Sequence, residues 1–357
     1  MDRLILALNP GGTSTKLGVY MEDEPLFEEN IRHLPEELAA FKATIDQISL
    51  RRDLSVKAVQ AHGIDMSKLS AVVGRGGTFK SLSAGTYRVN ERLLLDIREG
   101  TTLQADHPSN LGAPLADAIA RPLGIPAYFV DPVCVDEMID EARLSGHPLL
   151  PRKSLSHALN IRMVAYKAAA QLGRPLEELN MVVLHLGSGV SVNAIRSGLM
   201  IDTNNANDGG PFSSQRTGSL PVTGLMDICF SGKYDKKQLS RMFLKEGGLF
   251  AYLGTDHVGE ALEKAAAGDS NADLVLRAMT YQFVKEGGAM AAALSGRVDC
   301  IVVTGGMAHN GWVVDRIRAG LGFLAPVLVF PGEAELEALV RGVIRVLDGI
   351  ERERTYE

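Results

Sequence analysis

NMVVLHLGSGVSVNAIRSG (180–198) runs from an unbroken apolar segment through a Gly-Ser-Gly turn into a second, alternating segment. That is the pattern of a buried strand, a tight turn and a returning strand. The N-terminus repeats it. LILAL (4–8) leads through NPGGTSTK (9–16) into KLGVYMED (16–23), and PLFEENIRHL (25–34) adds a third antiparallel strand. The echo falls about halfway along 357 residues, so the chain is expected to consist of two similar halves.

The segments around these two anchors alternate between strand and helix. A helix is expected over 35–51, a buried strand at LSAVVGRGG (69–77) and a loop from 78 to 105. In DHPSNLGAPLADAIARPLG (106–124), Ser109 or Asn110 is placed to cap a helix ending near Gly124. A strand follows at IPAYFVDP (125–132) and a helix at 154–173. Beyond 198 come a polar Gly-rich stretch (202–221), helical segments between 223 and 295 and the strand DCIVVTGG (299–306). A helix near 310–320, the strand APVLVF (325–330) and a helix near 333–349 complete the order. The class is α/β, with mixed sheets covered by helices.

Hydrophobic residues make up 46% and charged residues 22%, which excludes a disordered polymer. Lys plus Arg is 37 against 43 Asp plus Glu, a formal charge of −6, and no basic stretch offers a nucleic acid the cations it needs. Cys134, Cys229 and Cys300 are widely spaced without a zinc pattern and read as buried reduced thiols. No apolar run reaches the ~20 residues of a membrane span, and the first apolar run is too short for a signal peptide. The expectation is a cytoplasmic protein that binds neither membrane nor nucleic acid and forms a homo-oligomer, at least a dimer.

Four Gly-rich turns directly follow apolar strands: NPGGTSTK (9–16), GRGG (74–77), HLGSGVS (185–191) and TGGMAHN (304–310). Such turns present backbone N–H groups that phosphate can approach without meeting a Cβ. The P-loop and dinucleotide fingerprints are both absent. Arg75 and Arg216 lie in polar Gly-rich segments and suit bidentate contact with phosphate or carboxylate, although either could equally brace a loop. Asp131 ends a strand before Pro132, where it could hold Mg²⁺ through water, orient a nucleophile or cap the loop. Among the histidines, His107 in the DHPSN loop is the functional candidate, while His157 and His185 read as hydrogen-bonded structural residues.

Taken together, NPGGTSTK, GRGG, HPSNLG (107–112), VDPVCVDEM (130–138), SHALN (156–160), HLGSGVS, DTNNANDGGPF (202–212), VTGGMAHN and PGEAE (331–335) resemble the acetate kinase family of the sugar kinase, actin and heat-shock chaperone ATPase superfamily. The resemblance implies two ribonuclease-H-like domains with ATP in the cleft between them. The first would span 1–152, completed by a C-terminal helix at 334–357, and the second 153–333. It implies reversible transfer of the γ-phosphoryl group of ATP to a short-chain carboxylate, butyrate or a branched relative, giving an acyl phosphate and ADP. Carried over by segment, Asn9, Gly12, Thr13 and Lys16 would lie near the phosphates, with Arg75, Asp131 and Arg216 at the reacting centre and His107 facing the acceptor. His185, Gly187 and Gly189 would form the β-phosphate loop, and Gly305, Gly306 and Asn310 would flank the nucleoside. Asn9 with Glu333 or Glu335 would serve Mg²⁺. Gly12 stands where relatives usually carry serine, and Lys153 falls about where acetate kinases place a histidine.

The chemistry suits cations more than a base. A carboxylic acid with a reference pKa near 4.3 is already ionised at neutral pH and needs no proton removed, whereas two anions must be brought together. The alternatives are a hydroxyl-directed kinase with Asp131 as base, or a nucleotide-sensing or filament-forming relative. With a first strand expected at residue 4, no N-terminal DNA-binding module is expected, while the filament-forming alternative stays open.

Overall fold

The computed structural model describes residues 3–100, 103 and 107–357. The chain divides into two compact units, residues 1–135 with 334–357 and residues 136–333. The sequence reading sets the boundary after 152 instead. Residues 136–152 pack on the second unit because they bond to its strand at 199–203. Ile139 N–H donates to Ile201 O at 3.0 Å, Met200 N–H donates to Glu137 at 3.0 Å, and Arg152 donates to Asp202 and Thr203 O at 3.0 Å each.

In the first unit, β1 (Leu4–Pro10), β2 (Ser14–Met21) and β3 (Glu24–Arg32) form an antiparallel meander. Next come α1 (Pro35–Ala39) and α2 (Ile48–Ala61), where a single helix over 35–51 was expected. The chain restarts because Glu37 accepts from Leu34 N–H at the start of α1, and Asp46 accepts from Ala43 N–H at the start of a separate 3-10 turn (Thr44–Gln47) that leads into α2. β4 (Leu69–Arg75) runs parallel to β1. The expected loop at 78–105 contains β5 (Thr86–Arg88) and α3 (Glu91–Glu99), the helix capped by Asn90 and ended by left-handed Gly100. Positions 101, 102 and 104–106 of that loop lie outside the described residues. α4 (Gly112–Ala120) and β6 (Ala127–Val130) follow, β6 parallel to β4. Neither Ser109 nor Asn110 caps a helix. His107 accepts from Ser109 N–H, and the Asn110 side chain accepts from Thr78 N–H at 2.7 Å.

The second unit opens with α5 (Asp140–Arg143) and α6 (Ala158–Leu172). The meander β7 (Asn180–Leu186), β8 (Val190–Arg196) and β9 (Leu199–Thr203) comes next, β9 running two residues into the stretch that reads as polar and Gly-rich (202–221). Five helices follow: α7 (Val222–Cys229), α8 (Lys236–Leu244), α9 (Gly248–Leu253), α10 (Val258–Ala266) and α11 (Ser270–Ala293). β10 (Cys300–Gly305), α12 (Gly311–Leu321) and β11 (Val327–Pro331) complete a sheet of order β11-β10-β7-β8-β9, with β10 parallel to both neighbours. The chain then returns to the first unit as α13 (Glu335–Leu347) and β12 (Arg354–Thr355), extending its sheet to β12-β5-β6-β4-β1-β2-β3. Each unit thus joins an antiparallel meander to parallel strands, the arrangement of two similar halves.

β7 is buried on both faces, which is why it reads as a continuous apolar run. Val182, Leu184 and Leu186 pack toward Met279 and Phe283 of α11, while His185 faces the α6 side with Asn160. Leu6 and Leu8 of β1 join Val59 of α2 and Leu115 and Ile119 of α4. Cys134 and Cys300 are buried, burial pushing the Cys300 thiol up to about 12, whereas Cys229 is exposed, unlike its expected environment. No helix among the described residues is long and apolar enough to cross a membrane.

His33, at the end of the meander, is buried 2.8 Å from Thr15 Oγ1. Burial, with the nearby Arg51 charge adding to it, holds its pKa below the usual histidine value. The unfolded chain therefore binds the extra proton first, and the stability owed to neutral His33 is lost as pH falls below about 6.5. Thermal midpoints between pH 7.5 and 5.5 are expected to fall less steeply for His33→Gln than for wild type. Parallel slopes would contradict this.

Candidate active site

In the first unit the ends of β1 and β4 and the start of α13 bring Asn9, Arg75 and Glu335 together. Asn9 Nδ2 and Arg75 Nη1 both donate to the Glu335 carboxylate, and Arg75 Nη1 also reaches Asn9 Oδ1 at 3.3 Å. The Arg75 and Glu335 side chains are only 22% and 19% exposed, and Arg75 Nε is buried without a hydrogen-bond partner among the described residues. A pocket of about 480 Å³ opens here, its lining including Asn9, Gly12, Lys16, Arg75, His107 and Ser109. Lys16 is half-exposed and pairs with Glu28 at 2.8 Å. Thr13 is not part of that lining, and its carbonyl accepts from His33 N–H at 2.9 Å.

Two glycines explain how GRGG and HPSNLG come side by side. A Cβ on Gly74 would sit 1.9 Å from Gly112 O, and one on Gly112 would sit 2.1 Å from Arg75 O, so β4 and the start of α4 touch backbone to backbone. That contact sets His107 beside Arg75 at the pocket. His107 Nδ1 lies 2.8 Å from Ser109 Oγ and accepts from Ser109 N–H at 3.2 Å, which leaves the ring hydrogen on Nε2 as a donor. Asp131 is buried and is not part of the lining. Its Oδ1 accepts from Gly85 N–H at 2.7 Å, and its backbone adopts φ 37°.

The second unit holds a pocket of about 600 Å³, its lining including Gly187, Ser188, Ser214, Asp256, Gly306 and Asn310. Asn310 Oδ1 caps α12 by accepting from Trp312 N–H at 3.0 Å. Gly305 ends β10 beside Gly332, bonded through Gly332 N–H at 3.0 Å. Arg216 lies across Gly189, where a Cβ would come within 2.6 Å of its guanidinium. Its Nη1 donates to Ala206 O at 3.1 Å and Asn207 Oδ1 at 2.8 Å. Ser213 Oγ joins the two turns, accepting from Arg216 N–H at 3.0 Å and donating to Ser188 O. Burial lowers the Arg216 pKa, and no carboxylate among the described residues pairs with it.

His185 is fully buried, stacked on His157 with ring centroids 4.0 Å apart, and its Nδ1 lies 2.8 Å from Asn160 Oδ1. Its Nε2 lies 3.0 Å from Glu333 Oε1, off the hydrogen-bond axis. His157 Nδ1 in turn lies 2.9 Å from Ser191 Oγ. Glu333 thus belongs with the HLGSG turn, and Glu335 with Asn9 and Arg75. Lys153 is exposed. Ser214 and Asp256 escape a sequence reading, because only the folded turns bring them to the pocket.

Two mixed sheets of like topology with Gly-rich turns at their strand ends, the first beside a pocket lined by Lys16 and Arg75, are suited to binding phosphate groups. Residues 149–325 match the model of the Acetokinase family. The chain is 44% identical over 354 residues to butyrate kinase 2 of Clostridium acetobutylicum, covering 99% of both chains. It is 46% identical over 352 residues to probable butyrate kinase 2 of Caldanaerobacter subterraneus subsp. tengcongensis, again covering 99% of each. The crystal structure of Porphyromonas gingivalis acetate kinase shares the fold, with a TM-score of 0.77 at 19% identity over 97% of this chain and 100% of that one. This chain belongs to the acetokinase family.

Proposed function

We propose that the chain transfers the γ-phosphoryl group of ATP to butyrate or a short branched relative, reversibly, giving an acyl phosphate and ADP. The observation that carries this reading is full-length identity of 44–46% to proteins named butyrate kinase. The site chemistry agrees with it. Phosphoryl transfer to an anion asks for positive charge rather than a base. Arg75, Arg216 and the His107 N–H donor answer that need, while Asp131 is engaged with Gly85. A hydroxyl acceptor would ask for a free carboxylate base, which this arrangement of Asp131 does not favour.

In this proposal the turn at Asn9, Gly12, Thr13 and Lys16 meets the transferring phosphoryl group, and His107 and Arg75 orient the acid. His185, through Glu333, steadies the Gly187–Gly189 turn for the β-phosphate. Gly305, Gly306 and Asn310 flank the nucleoside. Glu335 with the Asn9 side-chain oxygen fits Mg²⁺, which commonly takes one or two carboxylates and completes its shell with water and phosphate oxygens. When bound, the ion supplies charge neutralisation on the phosphates. Glu335→Gln is expected to raise the Mg²⁺ concentration giving half-maximal rate about tenfold, as loss of one charged ligand. An unchanged Mg²⁺ dependence would move the site to Glu333.

The proposal includes a homo-oligomer, at least a dimer. α7 and α8 contain no buried residue, and Val222 and Phe230 are 69% and 87% exposed. An apolar face of this kind suits a second copy of the chain. Light scattering is expected to show a lower mass for Phe230→Glu than for wild type, and equal masses would exclude this face.

Initial rates with ATP and straight-chain acids of two to six carbons test the function. A maximum in kcat/KM at four carbons is expected, with acetate lower by about 10-fold or more, since each methylene is worth about 1–3 kcal/mol. A maximum at acetate would overturn the assignment of the acid.

A further inference from the structure

Arg51, on α2, is 1% exposed and is among the largest fully buried side chains. All five of its N–H groups are used. Nε and Nη2 donate to Gln47 Oε1 at 3.1 and 2.9 Å, and Nη2 also to Gly12 O at 3.2 Å. Nη1 donates to Ser14 O and to Thr15 Oγ1, both at 2.9 Å. Every acceptor is neutral, and no carboxylate among the described residues pairs with the guanidinium. A buried cation without a counter-ion is costly to keep, so its charge has to be offset by something else in use.

The acceptors identify what that is. Gly12 and Ser14 belong to the lining of the pocket that holds Asn9, Lys16, Arg75 and His107, whereas Arg51 itself does not. The Gly12 carbonyl is turned to Arg51, and in a planar trans peptide this puts the Thr13 N–H on the opposite edge. Neither Gly12 N–H nor Thr13 N–H donates to an acceptor among the described residues. The Thr15 hydroxyl accepts from Arg51 and lies 2.8 Å from His33 Nε2, which anchors the far side of the turn.

We propose that Arg51 is a positioning residue for phosphoryl transfer. It grips the 11–14 turn by its carbonyls, keeps the Gly12 and Thr13 N–H groups for phosphate oxygens, and gives the turn a positive charge that no acid neutralises. This rests on the reading that the turn meets the transferring phosphoryl group. Lysine cannot replace the planar fork, because three donors on a flexible stem do not span four acceptor groups.

The test compares wild type, Arg51→Met and Arg51→Lys in butyrate phosphorylation, with calorimetric binding of two probes. These are ADP alone, and MgADP with aluminium fluoride and butyrate as a mimic of the planar phosphoryl group. For Arg51→Met, kcat and affinity for the mimic are each expected to fall about 30-fold, below the loss from a directly contacting donor. ADP affinity should stay within twofold, and Arg51→Lys should recover part of kcat. A general structural defect would weaken both probes alike. Equal losses for the two probes, or a folded Arg51→Met with kcat within threefold of wild type, overturn the proposal. Should Arg51→Met not fold, Arg51→Lys decides: kcat at least fivefold down at unchanged ADP affinity supports it, and kcat within twofold overturns it. Wild type that makes no butyryl phosphate would instead remove the functional reading beneath it.

Discussion

Arg75→Ala is expected to lower kcat for butyrate phosphorylation about 10³-fold while leaving the far-ultraviolet circular dichroism spectrum unchanged. The guanidinium does two things at once. In the proposed mechanism it supplies charge where the anionic acid and phosphate must approach, and in the structure it holds Glu335 and Asn9 through Nη1. Its buried Nε lacks a hydrogen-bond partner among the described residues, a donor that a bound anion would satisfy. Alanine removes the charge and releases the carboxylate into the same pocket, adding repulsion to the lost attraction. Arg75→Lys keeps a cation without the fork, so its loss should be smaller, about 10²-fold. Near-normal turnover in Arg75→Ala would take this arginine out of the mechanism.

Arg216→Ala is expected to cost a comparable factor, about 10³ in kcat, with a smaller change in KM for the acid. Arg216 is held in place by Ala206 O and Asn207 Oδ1 through Nη1 alone, and Nε and Nη2 make no hydrogen bond among the described residues. A half-buried cation with two idle donor groups lies across Gly189, and a methyl group at that glycine would collide with it. Gly189→Ala should therefore reproduce part of the Arg216→Ala defect while leaving the charge in place. If Gly189→Ala is normal and Arg216→Ala is not, charge rather than placement is what matters there.

The sequence makes visible whatever depends on neighbours along the chain. The apolar runs at 4–8 and 180–186 show through because those strands are buried on both faces. The GRGG turn shows because only glycine allows the close backbone approach made there, as where Gly74 meets Gly112. Less legible are features created by contacts far apart in sequence. Glu335 meets Asn9 and Arg75 across 326 and 260 residues, so its separation from Glu333 two positions earlier could not be read from PGEAE. Ser213 is an unremarkable serine in SSQR until it bridges Ser188 and Arg216. Arg51 sits in an ordinary polar helix pattern, QISLRRDL, where one of two adjacent arginines turns inward and the other pairs with Asp53 on the surface. The helix at 91–99 could have been found, since Asn90 and Gly100 bracket it with standard capping residues. The long polar surroundings obscured it.

The most direct test of carboxylate phosphorylation follows oxygen atoms. Butyrate labelled with ¹⁸O in its carboxyl group is incubated with ATP, Mg²⁺ and the protein, and the product is observed by ³¹P nuclear magnetic resonance. An acyl phosphate resonance shifted by one bridging ¹⁸O is predicted, because the acid oxygen itself attacks the γ-phosphorus. ATP consumed with only unlabelled inorganic phosphate formed, or butyrate left untouched while an alcohol is phosphorylated, would contradict it.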